Sequence, residues 1–349
     1  MIGGRRSGLW ITLGAVVLVG AAGFFLSDLF YGANGPDGEE RMITVSRGSG
    51  FSRVADSLEK AGLIRSRAGF VFVARIRGGT ERIRVGRYRF SRRMSNTDIF
   101  LSLREGRNVV RLPVTLPEGL RSRAQARILS RVLGADSAAF VRLVSDSSFA
   151  ASLGVTAGSL EGYLMPETYF FDWQPDEREV ASRLVREFTR FFTDSLAARA
   201  RGFGWSVHQA ITMASLVEGE ASLPEERGLV AGVYHNRLRK GMRLQADPSV
   251  QFMFEEGPRR VLYADLKRDH PYNTYMRRGL PPGPVNNPGR EAIRAALWPA
   301  RHSYLYFVAD GRGGHRFSTT YTEHRKNVSR YRAGRRKAAE AALTKSGQG

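Results

Sequence analysis

The sequence predicts an α+β protein with an apolar amino-terminal helix, a small α+β module and a larger mixed α+β domain. Three observations predict it. An uncharged apolar run at 8–26 stands apart from a 349-residue chain that is otherwise ordinary, 42% hydrophobic and 25% charged. Short strand-like runs and helical stripes alternate between 41 and 110. Beyond 110, apolar spacing near 3.6 dominates, punctuated by Gly- and Pro-rich turns. The expected organisation is a cytoplasmic terminus at 1–7, a transmembrane segment at 8–27 and a linker at 28–40. The small module follows at 41–110, the larger domain at 111–330 and a basic tail at 331–349.

Each element has its own justification. The run GLWITLGAVVLVGAAGFFL is long enough, at about 1.5 Å per residue, to cross a hydrocarbon core of about 30 Å. It exceeds the h-region of a cleaved signal and lacks an obvious small-x-small cleavage site, so a retained signal-anchor is expected. Arg5 and Arg6 precede it and favour a cytoplasmic amino terminus. With no second long apolar run, the rest of the chain is expected outside the plasma (inner) membrane.

In the small module, MITVSRG reads as a strand and FSRVADSLEKAGLI as a helix with Gly62 as a C-cap. AGFVFVARIRG reads as a second helix, RVGRYRF as a strand and SNTDIFLSLREG as a capped helix ending at Gly106. Farther on, VRLPVTLPEGL reads as a strand. Helices are expected in 124–133, 136–145 and 176–199, with arginines on their solvated faces. Ser206 is a candidate N-cap for SVHQAITMASLVEGE, with Val207, Ile211, Ala214 and Val217 as its buried stripe. Ser222 to Glu225 looks like a capping box, with Pro224 in the first turn of a helix ending at Gly241.

Charge and composition narrow the function. Lys+Arg exceed Asp+Glu by 54 to 33, a net +21, with pI near 10.9. Such a chain attracts polyanions: nucleic acid, anionic lipid or an acidic cell-wall polymer. No zinc-finger, helix-turn-helix or single-strand-binding signature accompanies the charge, and an extracytoplasmic position argues against nucleic acid. Cysteine is absent, which removes disulfides and thiol nucleophiles. The six histidines show no metal-ligand spacing, so no metal site is expected. P-loop, dinucleotide and nucleophile-elbow motifs are missing, so no cofactor is expected and carboxylate chemistry remains.

Four segments set polar groups among apolar, aromatic or Gly/Pro-rich neighbours. LEGYLMPETY carries Glu161, which suits the wall of a carbohydrate cleft and equally suits a capping role in a core turn. ASLVEGEAS carries Glu218 and Glu220 at the end of a mostly apolar helix. Desolvation there would raise a carboxyl pKa toward the range of a general acid, whereas two solvated helix-end charges would do nothing. GMRLQADPSV offers Gln245 and Asp247 to sugar hydroxyl or acetamido groups, although Asp-Pro is also a common helix start. YNTY, ahead of GLPPGPVNNPG, places Tyr272 and Asn273 side by side, suited to stacking and amide hydrogen bonding, or to scaffolding alone.

These motifs, in this order, resemble those of the membrane-bound endolytic murein transglycosylase family, YceG-like. The similar stretches are LEGYLMPETY, ASLVEGEASLPEERGLVAGVYHNRLRKGMRLQADPSV, YNTY, GLPPGPVNNPG and YLYFVADGRGGHRFSTTYTEH, so the likeness covers nearly the whole chain. Two positions depart from it: His235 stands where an apolar residue is usual, and Gly219 where Lys is common. The resemblance implies a LysM-like small module and a catalytic transglycosylase domain at 111–330. It implies cleavage of the β-1,4 bond between N-acetylmuramic acid and N-acetylglucosamine in nascent peptidoglycan. The muramyl C6 hydroxyl attacks C1, leaving a 1,6-anhydromuramyl end and terminating strand elongation. One carboxyl can serve as acid and then base in that chemistry, unlike the paired carboxylates of ordinary glycosidases. By motif position that carboxyl is Glu220, with Glu218 the competing choice. By physical analogy Glu161, Glu218, Gln245, Asp247, Tyr272 and Asn273 would shape the cleft and bind sugar. The expected partners are glycan strands, the membrane and peptidoglycan synthases. The competing functions are a non-catalytic peptidoglycan-binding scaffold and a water-using glycosidase.

Overall fold

The computed structural model describes residues 4–36, 40–254 and 259–346. In chain order the elements are α1 (Gly4–Tyr31), β1 (Arg41–Val45), α2 (Phe51–Lys60), α3 (Arg67–Ile76), β2 (Gly86–Phe90) and α4 (Asn96–Glu105). They continue with β3 (Leu112–Thr115), α5 (Ser122–Leu133), α6 (Ser137–Val144), α7 (Ser147–Ser152), β4 (Thr168–Phe171), α8 (Glu177–Phe191) and α9 (Asp194–Arg201). The last are α10 (Val207–Glu220), α11 (Arg227–Arg239), α12 (Asp247–Gln251), α13 (Arg290–Leu297), β5 (Tyr306–Ala309), β6 (His315–Ser318) and α14 (Tyr321–Ser346). The fold is mixed α+β; the described residues form three two-stranded sheets, β1-β2, β3-β4 and β5-β6. Two compact units emerge: Met1–Pro113 with Val132–Gly134 and Phe170–Pro175, and Val114–Arg131 with Ala135–Tyr169 and Asp176–Gly349.

In the first unit, α1 is long and apolar enough over Trp10–Tyr31 to cross a membrane. Its large side chains from Trp10 to Leu26 are exposed, as expected of a helix whose apolar surface meets lipid. The helix runs into the stretch expected to be a linker, because its last turns have partners. Asp28 pairs with Arg65 at 2.6 Å, and Phe30 meets Phe72 edge-on at 6.3 Å. Residues 37–39 of the expected linker lie outside the described residues. β1 and β2 pair antiparallel, with Ile43 opposite Tyr88. The intervening α2 and α3 bury Phe51, Leu58 and Phe70 against Tyr88 and Phe90. α4 opens on a Ser95–Asp98 capping box, and Gly106 closes it at φ +77°. That left-handed conformation is open to glycine without a Cβ clash.

In the second unit, α10 is the central helix. A Ser206–Gln209 capping box starts it, and Ala210 to Val217 are all buried. The helix is enclosed on every side, with α13 and α11 packed against it. The four-residue stripe expected from periodicity is therefore only part of its buried surface. The segment 176–199 forms two helices, because the chain leaves helical geometry at Phe192 and restarts on Thr193. Ser222 does not cap α11; Leu223 precedes a 3₁₀ turn over Pro224–Glu226 that leads into it. The strands β5 and β6 form an antiparallel hairpin with Tyr306 opposite Ser318.

Candidate active site

α10 ends at Glu220, and Ala221 leaves helical geometry at once. The last carboxyl therefore projects where the helix stops and a cleft of about 490 Å³ begins. The cleft is lined by Glu220 and Gly219 from α10, by Asp247, Pro248 and Gln251 from α12, by Arg121, Arg123 and Arg127 at the start of α5, and by Asn286. One wall is thus cationic, and the acid stands at the junction of α10 and α12.

Glu220 is half-buried, and its Oε1 accepts two hydrogen bonds. The Tyr234 hydroxyl donates one at 3.0 Å from α11, and the Asp247 backbone N–H donates the other at 3.0 Å from α12. Oε2 receives none from the described residues. Burial pushes the carboxyl pKa up, and the neighbouring Asp247 carboxylate pushes it further; the two hydrogen bonds and Arg237 pull it back. The balance places it at about 7. A group with that value is both a competent acid and, once deprotonated, a competent base near neutral pH.

The surroundings hold this arrangement. Tyr234 is fully buried on α11, so its hydroxyl is fixed in position. Arg237 donates from Nε to the Leu305 carbonyl at 2.7 Å and from Nη1 to the Leu244 carbonyl at 2.6 Å, which fixes the loop leading into α12. Asp247 Oδ1 accepts from the Tyr275 hydroxyl at 2.6 Å. At Gly219 α12 approaches closely: a Cβ there would lie 2.6 Å from Pro248 Cγ, so a larger residue needs α12 to shift.

Glu218 faces another way. Two residues apart on a helix are about 200° apart around its axis. Its side chain is 6% exposed and pairs with Arg227 at 3.2 Å. Its Oε2 accepts from the Gly289 N–H at 2.9 Å. Burial raises its pKa against these partners. Glu218 therefore ties α10 to the start of α13 and does not line the cleft.

The remaining sequence candidates divide. Glu161 sits behind the cationic wall. It accepts from Ser122 N–H at 3.0 Å, from Ser122 Oγ at 2.6 Å and from Asn287 Nδ2 at 3.0 Å, and burial raises its pKa. Tyr272 packs its ring 4.5 Å from Phe252, which also carries the Arg121 guanidinium at 4.9 Å. Gln245 is exposed at φ +52°, and its side chain has no hydrogen bond among the described residues. Asn273 is 0% exposed. Its amide donates to the carbonyls of Leu266 and Arg268 at 3.1 and 2.7 Å, so it shapes its own loop and does not reach the cleft.

Tyr234, Arg121, Asn286 and Asn287 also belong to the site or its frame, and none stands out as a functional residue in the sequence. Asn287 is the most connected. Its Oδ1 accepts from Gly162 N–H at 2.8 Å and Leu164 N–H at 3.0 Å, and its Nδ2 donates to the Leu120 carbonyl at 3.0 Å as well as to Glu161. One side chain joins three separate motifs. The available signal was a pair of amides inside a Gly/Pro-rich turn. Among the described residues no cluster of His, Asp and Glu could hold a metal ion.

Comparison with known proteins shows the lineage of this chain. The profile of the YceG-like family matches residues 43–330. The chain belongs to the YceG-like family. An endolytic murein transglycosylase of Bacillus subtilis (strain 168) is 32% identical over 305 residues, spanning 83% of this chain and 84% of that protein. An endolytic murein transglycosylase of Streptococcus pneumoniae serotype 2 (strain D39 / NCTC 7466) is 28% identical over 323 residues, 83% of this chain and 58% of that protein. A crystal structure of a YceG-like protein from Listeria monocytogenes superposes with a TM-score of 0.59 at 30% identity, covering 82% of this chain and 98% of that one. The YceG-like match extends through both units and includes all the cleft residues described above.

Proposed function

We propose that this chain is a lytic transglycosylase that cuts peptidoglycan glycan strands, with Glu220 as its single acid/base. The observation that carries the reading is the Glu220 carboxyl, held at about 7 in a cleft with one oxygen engaged and the other open. The relatives named endolytic murein transglycosylases supply the substrate class.

The proposed reaction breaks the β-1,4 bond between N-acetylmuramic acid and N-acetylglucosamine. Protonated Glu220 gives its proton to the glycosidic oxygen as the C1–O bond breaks. The resulting carboxylate takes the proton of the muramyl C6 hydroxyl as that oxygen bonds to C1. The proton balance closes on one residue, and the product is a 1,6-anhydromuramyl end. The Asp247 carboxylate beside Glu220 favours positive charge developing at C1. Arg121 and its neighbours give the cleft a field that attracts an anionic polymer.

In this reading α1 is a single-pass anchor, with the amino terminus cytoplasmic and both units beyond the plasma (inner) membrane. The small α+β module, two antiparallel strands separated by two helices, serves as a LysM-like glycan-binding element. Anchored there, the enzyme would meet strands as synthases release them and end their elongation.

The test uses the full chain in detergent with uncrosslinked peptidoglycan strands and mass spectrometry of the products. Anhydromuramyl ends that disappear with Glu220→Gln and persist with Glu218→Gln are expected. Reducing ends would make water the nucleophile. Glycan binding without cleavage by the wild-type protein would favour a scaffold.

A further inference from the structure

A second cavity, of about 720 Å³, lies on the same unit as the cleft and is not part of it. Three guanidiniums line it, from Arg199, Arg239 and Arg301, and no carboxylate does. None of the three forms an ion pair among the described residues. Arg199 donates from Nε to the Leu297 carbonyl at 2.8 Å, and Arg239 bonds the Asn236 side-chain oxygen. Arg301 is exposed. Elsewhere in the unit, arginines at the cleft end of α10 and α11 find acids, as Arg227 does with Glu118 and Glu218. Here the charge is left unbalanced in a concave site.

Aromatic rings lie beside the arginines, with the Arg199 guanidinium over the Phe203 ring at 4.6 Å. Phe203, Trp205 and His235 pack with ring centroids 4.7–5.2 Å apart. His235 is 8% exposed and lies 2.8 Å from the Ala296 carbonyl through Nε2. Burial lowers its pKa, and Arg239 and Arg199 lower it further, so the ring is held neutral and adds no charge of its own.

A planar guanidinium fork matches a carboxylate in two-point geometry, and the aromatic wall offers an apolar surface beside it. A ligand that fits presents carboxylate groups next to small apolar side chains. Peptidoglycan strands carry such a ligand in their short stem peptides, which end in a free carboxylate. We propose that this arginine-lined cavity is an exosite that binds the carboxylates of stem peptides on the strand being cut. The proposal rests on the peptidoglycan reading above. It gives three arginines without an acidic partner among the described residues a specific use, and it gives His235 a place in a binding wall. The cavity also shares α11 with the catalytic acid, since Tyr234 holds Glu220 and the next residue lines the exosite.

The experiment has two arms on the full chain in detergent. In the first, binding of the probe peptide acetyl-Lys-D-Ala-D-Ala is measured by calorimetry to the wild type, to Glu220→Gln and to the double variant Arg239→Ser/Arg301→Ser. The two arginines are exposed, so the fold is expected to persist, checked by circular dichroism. Binding equal in wild type and Glu220→Gln and weakened about tenfold or more in the double variant is expected from loss of charged hydrogen bonds. In the second arm, KM and kcat are compared on stem-bearing strands and on the same strands stripped of peptide by an amidase. The double variant should raise KM on stem-bearing strands only, with kcat unchanged. Equal peptide binding in all proteins, or the same KM change on both substrates, overturns the exosite. Because peptide binding is read without turnover, failure of the exosite and failure of the catalytic reading are separable.

Discussion

Replacing Glu220 with Gln keeps the shape of the group and removes its ionisation. The carboxyl titrates from an ordinary 4.5 to about 7 in the folded protein. At about 1.4 kcal/mol per pH unit, ionising it in the fold costs about 3 kcal/mol relative to the unfolded chain. The sign follows from the raised value. Below pH 4.5 the group is protonated folded and unfolded, and no difference exists. Between 4.5 and 7 the unfolded chain releases the proton first, so folding stability falls as pH rises. Above 7 both states are ionised and the full penalty stands. A Gln side-chain oxygen still accepts from Tyr234 and from the Asp247 N–H. Glu220→Gln should therefore match the wild type at pH 4.5 and exceed it by about 3 kcal/mol at pH 8.5, while losing cleavage. Denaturant unfolding of both proteins across that range measures it, and the other buried carboxyls cancel in the comparison. A stability difference that stays flat with pH would refute the desolvated-acid argument.

Five further outcomes follow from the same contacts. Cleavage by the wild type should fall about tenfold per pH unit above 7, as the acid form is lost. Tyr234→Phe should move that falling limb upward by about half to one unit, since it removes a hydrogen bond to the ionised carboxyl, and Asp247→Asn should move it downward; pH–rate profiles check both. Glu218→Gln should retain cleavage, checked by product analysis, because its carboxyl faces Arg227 and the Gly289 N–H and not the cleft. Gly162→Ala should lower the melting temperature by several degrees, with a loss on the order of 2 kcal/mol, because φ is +90° and a Cβ would lie 2.4 Å from Pro284 Cγ.

The legible parts of the sequence were those whose signals are local. The apolar run, the Ser95 and Ser206 caps and the Gly106 stop each depend on a few adjacent residues, and the structure has all of them. The break at Phe192 and Thr193 was hidden, because apolar spacing continues across it while the helix axis does not. The site was legible as a set of motifs and not as a set of contacts. Glu218 and Glu220 look alike in sequence, and only the neighbours on either side of α10 separate a salt-bridged tie from a cleft acid. Asn273 has the chemistry of a sugar-binding amide, yet its own loop takes every donor. Tyr234 reads as one more apolar residue on a helix stripe, and its hydroxyl gains meaning only when α10 lies alongside.

The junction at Asn287 has a consequence for how the protein ages. Asparagine side chains decay when the backbone nitrogen of the following residue attacks the amide and closes a five-membered ring. The residue after Asn287 is Pro288, whose nitrogen carries no hydrogen and cannot make that ring in the ordinary way. The amide that fastens Leu120, Glu161 and Gly162 together therefore sits where deamidation chemistry is blocked by its own neighbour. Conversion to Asp would put a carboxylate against that of Glu161 and remove the donor to Leu120. Peptide mapping after prolonged alkaline incubation should find this position intact.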